Sequence, residues 1–460
     1  MVAGSRAIAP LRWGELARVT GGVPLGWSLV REGDRAIADI TTDSRQVRAG
    51  EAFVALRGEN FDGHGFVATA RDRGAAIALV ERPILDNHEK PLLPQLVVKD
   101  ALAAYQGLGR AWRSRFEIPI VAITGSVGKT STKECLAAVL GTAGAVHKTY
   151  GNFNNEIGVP KTLLQLEGCH DFAVVEMAMR GRGQIAELAR MAVPTVGVIT
   201  NVGTAHIGLL GSEQAIAEAK CELLAELPPG AIAVLNGDDE RLMATAAQVW
   251  SGETVTYGLK GGDLRGDLTG DGAIVVGNER FPLPLPGRHH ALNFLAALAV
   301  AQVVGVSWEP LKGGIAIALP EGRSRRVRLP EDIELLDETY NAGLESMLAA
   351  LDLLAETPGG RRLAVLGTMK ELGDRAAEFH NRVGQRVREL ALDGLLVMAD
   401  EPVAREMATG AAGIPCECFD DREALTVRIK EMLRPGDRWL FKASHSVALD
   451  RVVQAIAPEA

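Results

Sequence analysis

IPIVAITGSVGKTSTKECLAAVL, Ile118 to Leu140, is the stretch on which the fold turns. Ile118 to Thr124 is a short, mostly apolar run rich in β-branched residues, the composition of a strand covered on both faces. GSVGKT follows at Gly125 to Thr130, and the residues from Lys129 onward have helical character. Strand, glycine loop and helix are the parts of a phosphate cradle. Glycines let backbone N–H groups approach phosphate oxygens, and the helix N-terminus adds positive potential. Lys129 can neutralise β/γ-phosphate charge, and the Thr130 hydroxyl can ligate Mg²⁺. Only Ser126 and Val127 separate Gly125 from Gly128, where the strict pattern has four residues, so a plain glycine turn is the competing reading. Lysine and threonine both stand where phosphate chemistry needs them, which favours ATP held by Gly125, Ser126, Val127, Gly128, Lys129, Thr130 and Ser131.

Outward from the loop, apolar strands alternate with helices. Phe172 to Met177 and Thr195 to Asn201 read as strands, and Ser212 to Leu227 as a helix. That alternation implies a parallel sheet with helices on both faces, whose ligands sit beyond the carboxyl ends of the strands. After Pro320 the pattern restarts, with strands at Ile333 to Leu336, Leu363 to Leu366, Gly394 to Met398 and Arg438 to Lys442, and a helix at Leu344 to Glu356. Before Asp100, Arg35 to Glu81 reads as short strands with turns, including a helix over Gly65 to Gly74 and a strand at Ala76 to Val80. The Pro-rich stretch Pro83 to Pro94 reads as a linker or loop, and Ala101 to Arg115 as a helix. The expectation is an α/β protein of three domains: a small α/β domain over 1–99, a central parallel-sheet ATP-binding domain over 100–320, and a Rossmann-like doubly wound domain over 321–460.

Bulk properties agree with three domains and exclude some classes. A chain of 460 residues is too long for one ordinary core. A formal charge of −9 gives no overall basic field for nucleic acid. Arg323, Arg325, Arg326 and Arg328 form a local basic run, either a solvated charge run or a holder of phosphate. Five cysteines without framework spacing suit reduced thiols and a cytoplasmic location. Cys416 and Cys418 with Cys169 and His170 lack the spacing of a metal site. No secretory signal stands in Met1 to Thr20, and the uncharged stretch Phe294 to Trp308 is too short to cross a bilayer, reading instead as a buried helix.

Two polar residues gather at the carboxyl edge of the central sheet. Glu176 ends one strand and His206 lies in the loop after the next, so both should emerge near the phosphates, where they could hold Mg²⁺. Each alone is weak, since a strand-end Glu is often a capping residue and a lone His is usually structural. Lys220, on the following helix, reads on spacing alone as a solvated helix lysine.

The strings TGSVGKTSTKE, TYGNFNNEIGVPKTLL (Thr149 to Leu164), VVEMAMRGRGQI, TNVGTAHIG and AKCELL occur in that order, and together they resemble the Mur ligase family. TTDSRQVRAGEAFVALRGENFDGH (Thr41 to His64) resembles the family's UDP-sugar-binding segment, while LLDETYNAG, LGTMKELG and FKASHS extend the resemblance through the last third. The resemblance implies an ATP-dependent ligase that joins D-alanyl-D-alanine to UDP-N-acetylmuramoyl-tripeptide through an acyl phosphate, acting as a monomer without nucleic acid or membrane insertion. It assigns Lys129 to the ATP phosphates, and Thr130, Glu176, His206 and Lys220 to Mg²⁺, with Lys220 as a carbamate. It further assigns Asn293, Arg323, Asp337 and Tyr340 to ATP, and Asp43, Ser44, Arg45, Asn152, Asn154 and Asn155 to the UDP-sugar substrate. Lys129, His206 and Lys220 are the implied catalytic residues. Departures are His290 where the family usually has Asn, Ala443 and His445 in the FKASHS loop, and Cys221 after Lys220. A folylpolyglutamate synthase-like ligase and a non-catalytic nucleotide switch are the alternatives.

Overall fold

The structure, a computed structural model, describes residues 8–58 and 60–458. Three sheets follow one another along the chain. The first has five short strands in the spatial order Val23–Leu25, Gln95–Val97, Ile77–Val80, Ala52–Val54, Ile40–Thr41, all parallel except the antiparallel edge strand Val23–Leu25. Of its inner strands, Ala52–Val54 and Ile77–Val80 are buried throughout, as the apolar composition of AFV and IALV requires. The Pro83 to Pro94 stretch is an ordered loop within this sheet: the buried Gln95 side chain donates to Ile84 O at 2.6 Å and accepts from Ile84 N at 2.9 Å.

The second sheet has nine strands. Ile120–Thr124 lies between Phe172–Glu176 and Val196–Ile199, parallel to both. The chain first fills one flank, with Val146–Lys148 beyond Phe172–Glu176. It then crosses to the other, where Ile232–Asn236 and Thr254–Gly258 follow. The strand before the glycine loop is therefore the topological switch point, where a crevice opens beyond the strand ends. The parallel sheet expected from the sequence continues into Leu264–Leu268, Ala273–Val276 and Glu279–Pro282, where Ala273–Val276 pairs antiparallel with both of its neighbours. Gly277, at φ 59°, makes the two-residue reversal with Asn278 that this hairpin needs.

The third sheet is parallel over Ile333–Asp337, Arg438–Lys442, Arg362–Gly367, Gly394–Met398 and Cys416–Phe419, with Arg325–Leu329 added antiparallel at one edge. That edge strand disperses the arginine run: Arg326 pairs with Glu334 at 2.9 Å, Arg328 is exposed, and only Arg323 of the four faces the large cavity described below. Among the described residues no three His, Cys, Asp or Glu side chains gather as a metal-binding cluster.

Helices expected from the sequence form with recognisable caps. Asp100 accepts from Ala103 N ahead of Ala101–Arg113, and Ser212 accepts from Ala215 N ahead of Glu213–Ala225. The helix Ala101–Arg113 joins two cores. Ala101, Ala104, Tyr105 and Leu108 pack with the first sheet, and Trp112 packs both there and against the core under the central one. The buried helix expected over Phe294 to Trp308 instead spans Arg288–Val303. Gly305 at φ 75° turns the chain after it, so Trp308 folds back and donates its indole N–H to Leu298 O at 3.1 Å. Among the described residues no helix is long and apolar enough to cross a membrane.

Phe294 is fully buried on this helix, edge-on to Phe281 with ring centroids 6.1 Å apart. Replacing it with Ala leaves a cavity, and we expect Phe294→Ala to lower unfolding stability by about 3–5 kcal/mol, read from urea denaturation.

Candidate active site

The glycine loop takes its shape from the neighbouring strand end. Asn201 Oδ1 accepts from Val127 N at 3.0 Å, Asn201 Nδ2 donates to Val127 O at 3.0 Å, and Thr200 Oγ1 donates to the same carbonyl at 2.7 Å. Ser126 Oγ accepts from Gly203 N at 2.8 Å. With both polar groups of Val127 held by side chains, a loop shorter than the usual phosphate cradle keeps one conformation. Gly125 sits at φ 153° so close to Thr200 that a Cβ would lie 1.9 Å from Thr200 Oγ1, and at Gly128, φ 83°, a Cβ would lie 2.8 Å from Asn293 Oδ1. Both glycines are required by space as well as by backbone conformation.

Lys129 folds back over the loop and donates to Gly125 O at 2.7 Å and Ser126 O at 3.3 Å. Burial pushes its pKa below the ordinary lysine range, the Glu176 carboxylate opposes that shift, and the Arg323 guanidinium adds to it.

The loop forms one wall of a cavity of about 1110 Å³ between the second and third sheets. The residues from Ser126 to Ser131 line it, as do Asn152, Asn154, Asn155, Glu176, His206, Asn293, Arg323 and Tyr340. Most of the site residues expected from the sequence thus meet at one place. Asn293 accepts from Thr132 Oγ1 at 3.1 Å, which fixes it beside the loop. The Arg323 guanidinium lies 3.8 Å from the Tyr340 ring centroid, and its Nε is a buried donor without a partner. A stacked, partly unpaired guanidinium facing a cavity suits phosphate oxygens.

Glu176 is 2 % exposed; Asn154 Nδ2 donates to its Oε1 at 2.7 Å, while Oε2 has no hydrogen-bond partner. The nearest cation is Lys133, itself 1 % exposed, whose Nζ lies 3.8 Å from Oε2 and 3.3 Å from Glu134 Oε1. Lys133 is not among the residues expected from the sequence, although it stands four residues after Lys129, one turn along the same helix face. A buried carboxylate oxygen without a hydrogen-bond partner has the chemistry of a cation ligand. His206, held at φ 66°, places Nδ1 2.6 Å from Glu371 Oε2 of the third sheet's loop, and burial lowers its pKa, favouring the neutral ring. Within LGTMKELG nothing distinguishes Glu371 as a site residue, because a single chain does not show that two loops 165 residues apart will meet.

Lys220 is not the solvated lysine its helix position suggests. It is 2 % exposed, on a helix where Ala215 to Ala217, Ala219, Cys221, Leu223 and Leu224 are buried as well. It lies behind the cavity wall rather than on it. Among the described residues no carboxylate oxygen comes within salt-bridge distance of its Nζ, and burial together with the Lys129 charge pushes its pKa well below the ordinary lysine range. Asp337 also stays off the wall: it is buried and accepts from Thr339 Oγ1 at 2.6 Å and Thr339 N at 3.1 Å, fixing the turn that carries Tyr340. Asn155 lines the cavity while its Oδ1 accepts from Gly158 N at 2.9 Å.

Asp43, Ser44 and Arg45 are outside the cavity, in the turn after Ile40–Thr41. The Arg45 fork is engaged by Asp43, with Nε to Oδ1 and Nη2 to Oδ2 both at 2.9 Å, so a diphosphate there would have to displace that carboxylate. His290, at the departure from the family pattern, bonds Ser324 Oγ through Nε2 at 2.8 Å.

The Gly125–Thr200 contact leads to a direct test. Gly125→Ala should reduce ATP affinity at least ~10-fold in isothermal titration, because Thr200 and then Val127 must move and the loop loses its shape.

Comparison with known proteins bears on what this arrangement is. Family models match in order: Mur ligase family, catalytic domain, over residues 36–112; Mur ligase middle domain over 123–301; and Mur ligase, glutamate ligase domain, over 322–445. A UDP-N-acetylmuramoyl-tripeptide–D-alanyl-D-alanine ligase of a Synechocystis strain is 56 % identical, with 93 % of each chain covered. Among solved structures, MurF from Acinetobacter baumannii superposes with a TM-score of 0.87 at 30 % identity, covering 98 % of this chain and 99 % of that one. MurF ligase from Thermotoga maritima, in complex with ADP, gives 0.81 at 31 %, covering 92 % and 97 %. The three matched segments carry the four parallel strands of the first sheet, the glycine loop and the Tyr340 to His445 wall in turn, and the chain belongs to the Mur ligase family.

Proposed function

We propose that this chain uses ATP to join D-alanyl-D-alanine to UDP-N-acetylmuramoyl-tripeptide, a step of peptidoglycan precursor synthesis in the cytoplasm. The observation that carries the reading is the near-complete match to a ligase of that activity, together with a cavity that faces the glycine loop with Arg323, Tyr340 and Lys442. All five cysteines are free, which agrees with a reducing compartment.

A carboxylate cannot lose hydroxide to an amine at neutral pH, so the oxygen must first become a better leaving group. The terminal carboxylate oxygen of the tripeptide attacks the γ-phosphorus of ATP, the bond to the β–γ bridging oxygen breaks, and its electron pair leaves with ADP. The amine of D-alanyl-D-alanine then attacks the carbon of the acyl phosphate. The resulting tetrahedral carbon expels phosphate and the amine loses its proton, leaving an amide.

The chain's residues serve both steps by position and charge. The N–H groups of Ser126 and Val127 are taken by Asn201, so the N–H groups at the start of the helix Lys129–Leu140 are left for the phosphates; Lys129 can swing from the Gly125 and Ser126 carbonyls onto a γ-phosphate oxygen, and Arg323 can approach from the opposite wall. Asn293 lies where it can meet the adenine, and Asp337 keeps Tyr340 and its stacked Arg323 in place. Asp43, Ser44 and Arg45 hold the uridine diphosphate end, with Asn152, Asn154 and Asn155 nearer the reacting carboxylate.

The donor set fits Mg²⁺. Thr130, the orphaned Glu176 Oε2, His206 and Lys220 would hold it, and when bound it supplies positive charge to the β- and γ-phosphates. Lys220 can contribute only as a carbamate, since an ammonium repels a cation. Its surroundings favour the neutral amine, whose lone pair adds to CO₂ with release of one proton.

Phosphate release that requires both UDP-N-acetylmuramoyl-tripeptide and D-alanyl-D-alanine is the expected result, and release with either substrate alone would contradict the reading. In that assay Lys129→Ala should lose on the order of 10²-fold or more in turnover. Lys220→Ala should lose most activity and regain part of it with acetate at high concentration. Better rescue by a small amine than by acetate would return Lys220 to the role of a cationic contact.

A further inference from the structure

The imidazole of His206 meets a carboxylate that comes from another part of the chain. Glu371 Oε2 lies 2.6 Å from His206 Nδ1, and a carboxylate can only accept a hydrogen bond. The proton of the neutral ring therefore sits on Nδ1. Nε2 keeps its lone pair, and the ring is on the cavity wall with Glu176 and Thr130.

The contact is built on both sides. His206 and Glu371 both hold left-handed backbone, at φ 66° and 61°, which non-glycine residues seldom adopt without a compensating contact. Gly208 N donates to Glu371 O at 3.1 Å, and a Cβ on Gly208 would lie 2.6 Å from Gly373 N. The short helix Ile207–Leu210 thus lies against the turn Gly373–Arg375 with no room for a side chain between the backbones. Nearby, Glu345 accepts from Thr204 N at 2.7 Å and Thr204 Oγ1 at 3.2 Å, so the His206 loop is held at two points by the third-sheet unit.

We propose that Glu371 is a positioning residue for metal ligation: it fixes the His206 tautomer and ring orientation across the junction, so that the cation site is complete only when the third-sheet unit is docked. This rests on the reading of His206 as a ligand. A metal-bound imidazole ordinarily donates its other N–H to a carboxylate or carbonyl, and loss of that partner weakens metal binding about 10- to 100-fold. The distinctive feature here is where the partner comes from. The central unit supplies the donor atom and the third-sheet unit supplies the group that makes it a donor, so cation affinity and docking are linked and each strengthens the other.

The test uses the full-length protein with selectively ¹⁵N-labelled histidine, and Mn²⁺ as the probe in the presence of adenylyl imidodiphosphate. The signals of His206, identified by their loss in His206→Gln, should show Nδ1 protonated and Nε2 unprotonated in the wild type and a mixture of tautomers in Glu371→Ala. Mn²⁺ affinity, measured by electron paramagnetic resonance, should fall about 10- to 100-fold in Glu371→Ala. Metal-free nucleotide affinity should be unchanged. Glu371→Gln, whose Oε1 can still accept from Nδ1–H, should lie between the two, and it serves if the Ala variant does not fold. An unchanged tautomer, or Mn²⁺ affinity within about twofold of wild type in both variants, overturns the inference. Loss of Mn²⁺ affinity in His206→Gln without loss in the Glu371 variants overturns the positioning role alone. Unchanged affinity in His206→Gln overturns the ligand reading of His206 itself.

Discussion

The strand-end pair Thr200 and Asn201 holds the rest of the site in place. Asn236 Nδ2 donates to Thr200 O at 3.0 Å, Thr200 and Asn201 hold Val127, and Ser126 Oγ accepts from Gly203 N. Three adjacent segments at the carboxyl edge of the sheet are thus tied together by neutral side chains. The Asn236–Thr200 and Gly203–Ser126 bonds are buried, so leaving either unmade would cost about 1–3 kcal/mol; the three bonds on Val127 are part-buried, and the loop has one arrangement that satisfies them all. Uncharged ties also leave the cationic groups free to face a ligand, which a loop held by its own ion pairs could not do.

Charge is distributed to the same end. The chain is acidic overall at −9, yet Lys129, Lys133 and Lys442 are concentrated around this one cavity, with Arg323 beside them. Glu176, Glu134 and Glu338 offset part of that charge: Glu134 pairs with Lys133 and Lys148, and Glu338 lies 3.8 Å from the Lys442 ammonium. Burial pushes the pKa values of Lys129 and Lys442 below the ordinary lysine range, and the negative charge of a bound polyphosphate would oppose that shift. An acidic protein therefore presents a locally cationic crevice, where low-dielectric walls lengthen the reach of each charge.

How much of this is legible in the sequence follows from how local each signal is. The strand, loop and helix at Ile118 to Leu140 are contiguous, so the phosphate cradle shows in the order of residues alone. Glu176 can be placed because strand ends in a parallel sheet share an edge. The antiparallel ribbon over Leu264–Pro282 is not legible in the same way, although Gly277–Asn278 is a two-residue hairpin signal, because LRGDL and ERFP lack the apolar runs of the inner strands. Lys220 reads as solvated because its burial comes from tertiary packing on nearly every side of a short helix. Arg325, Arg326 and Arg328 read as a patch, but an extended strand sends alternate side chains to opposite faces. Glu371 and Lys133 carry no local mark that separates them from surface charges, and their roles appear only when distant segments meet.

The junction between the second and third sheets combines two kinds of contact that do different things. One continuous apolar core includes Ile199, Ile207 and Ile216 from the central unit and Leu344, Met347, Met369 and Leu372 from the third-sheet unit. Apolar area is non-directional: it favours contact without fixing the register of one unit against the other. Register is set by the polar pins, Glu345 on Thr204 and Glu371 on His206, and by the close backbone approach of Gly208 to Gly373. Those pins lie beside the cavity rather than at the far side of the interface, and Lys370 and Glu371 line the cavity from the same loop. A ligand that spans the cavity therefore touches the same few residues that define the register. Substrate binding and the relative position of the two units are therefore coupled, and a ligase that must keep water from an acyl phosphate gains from that coupling.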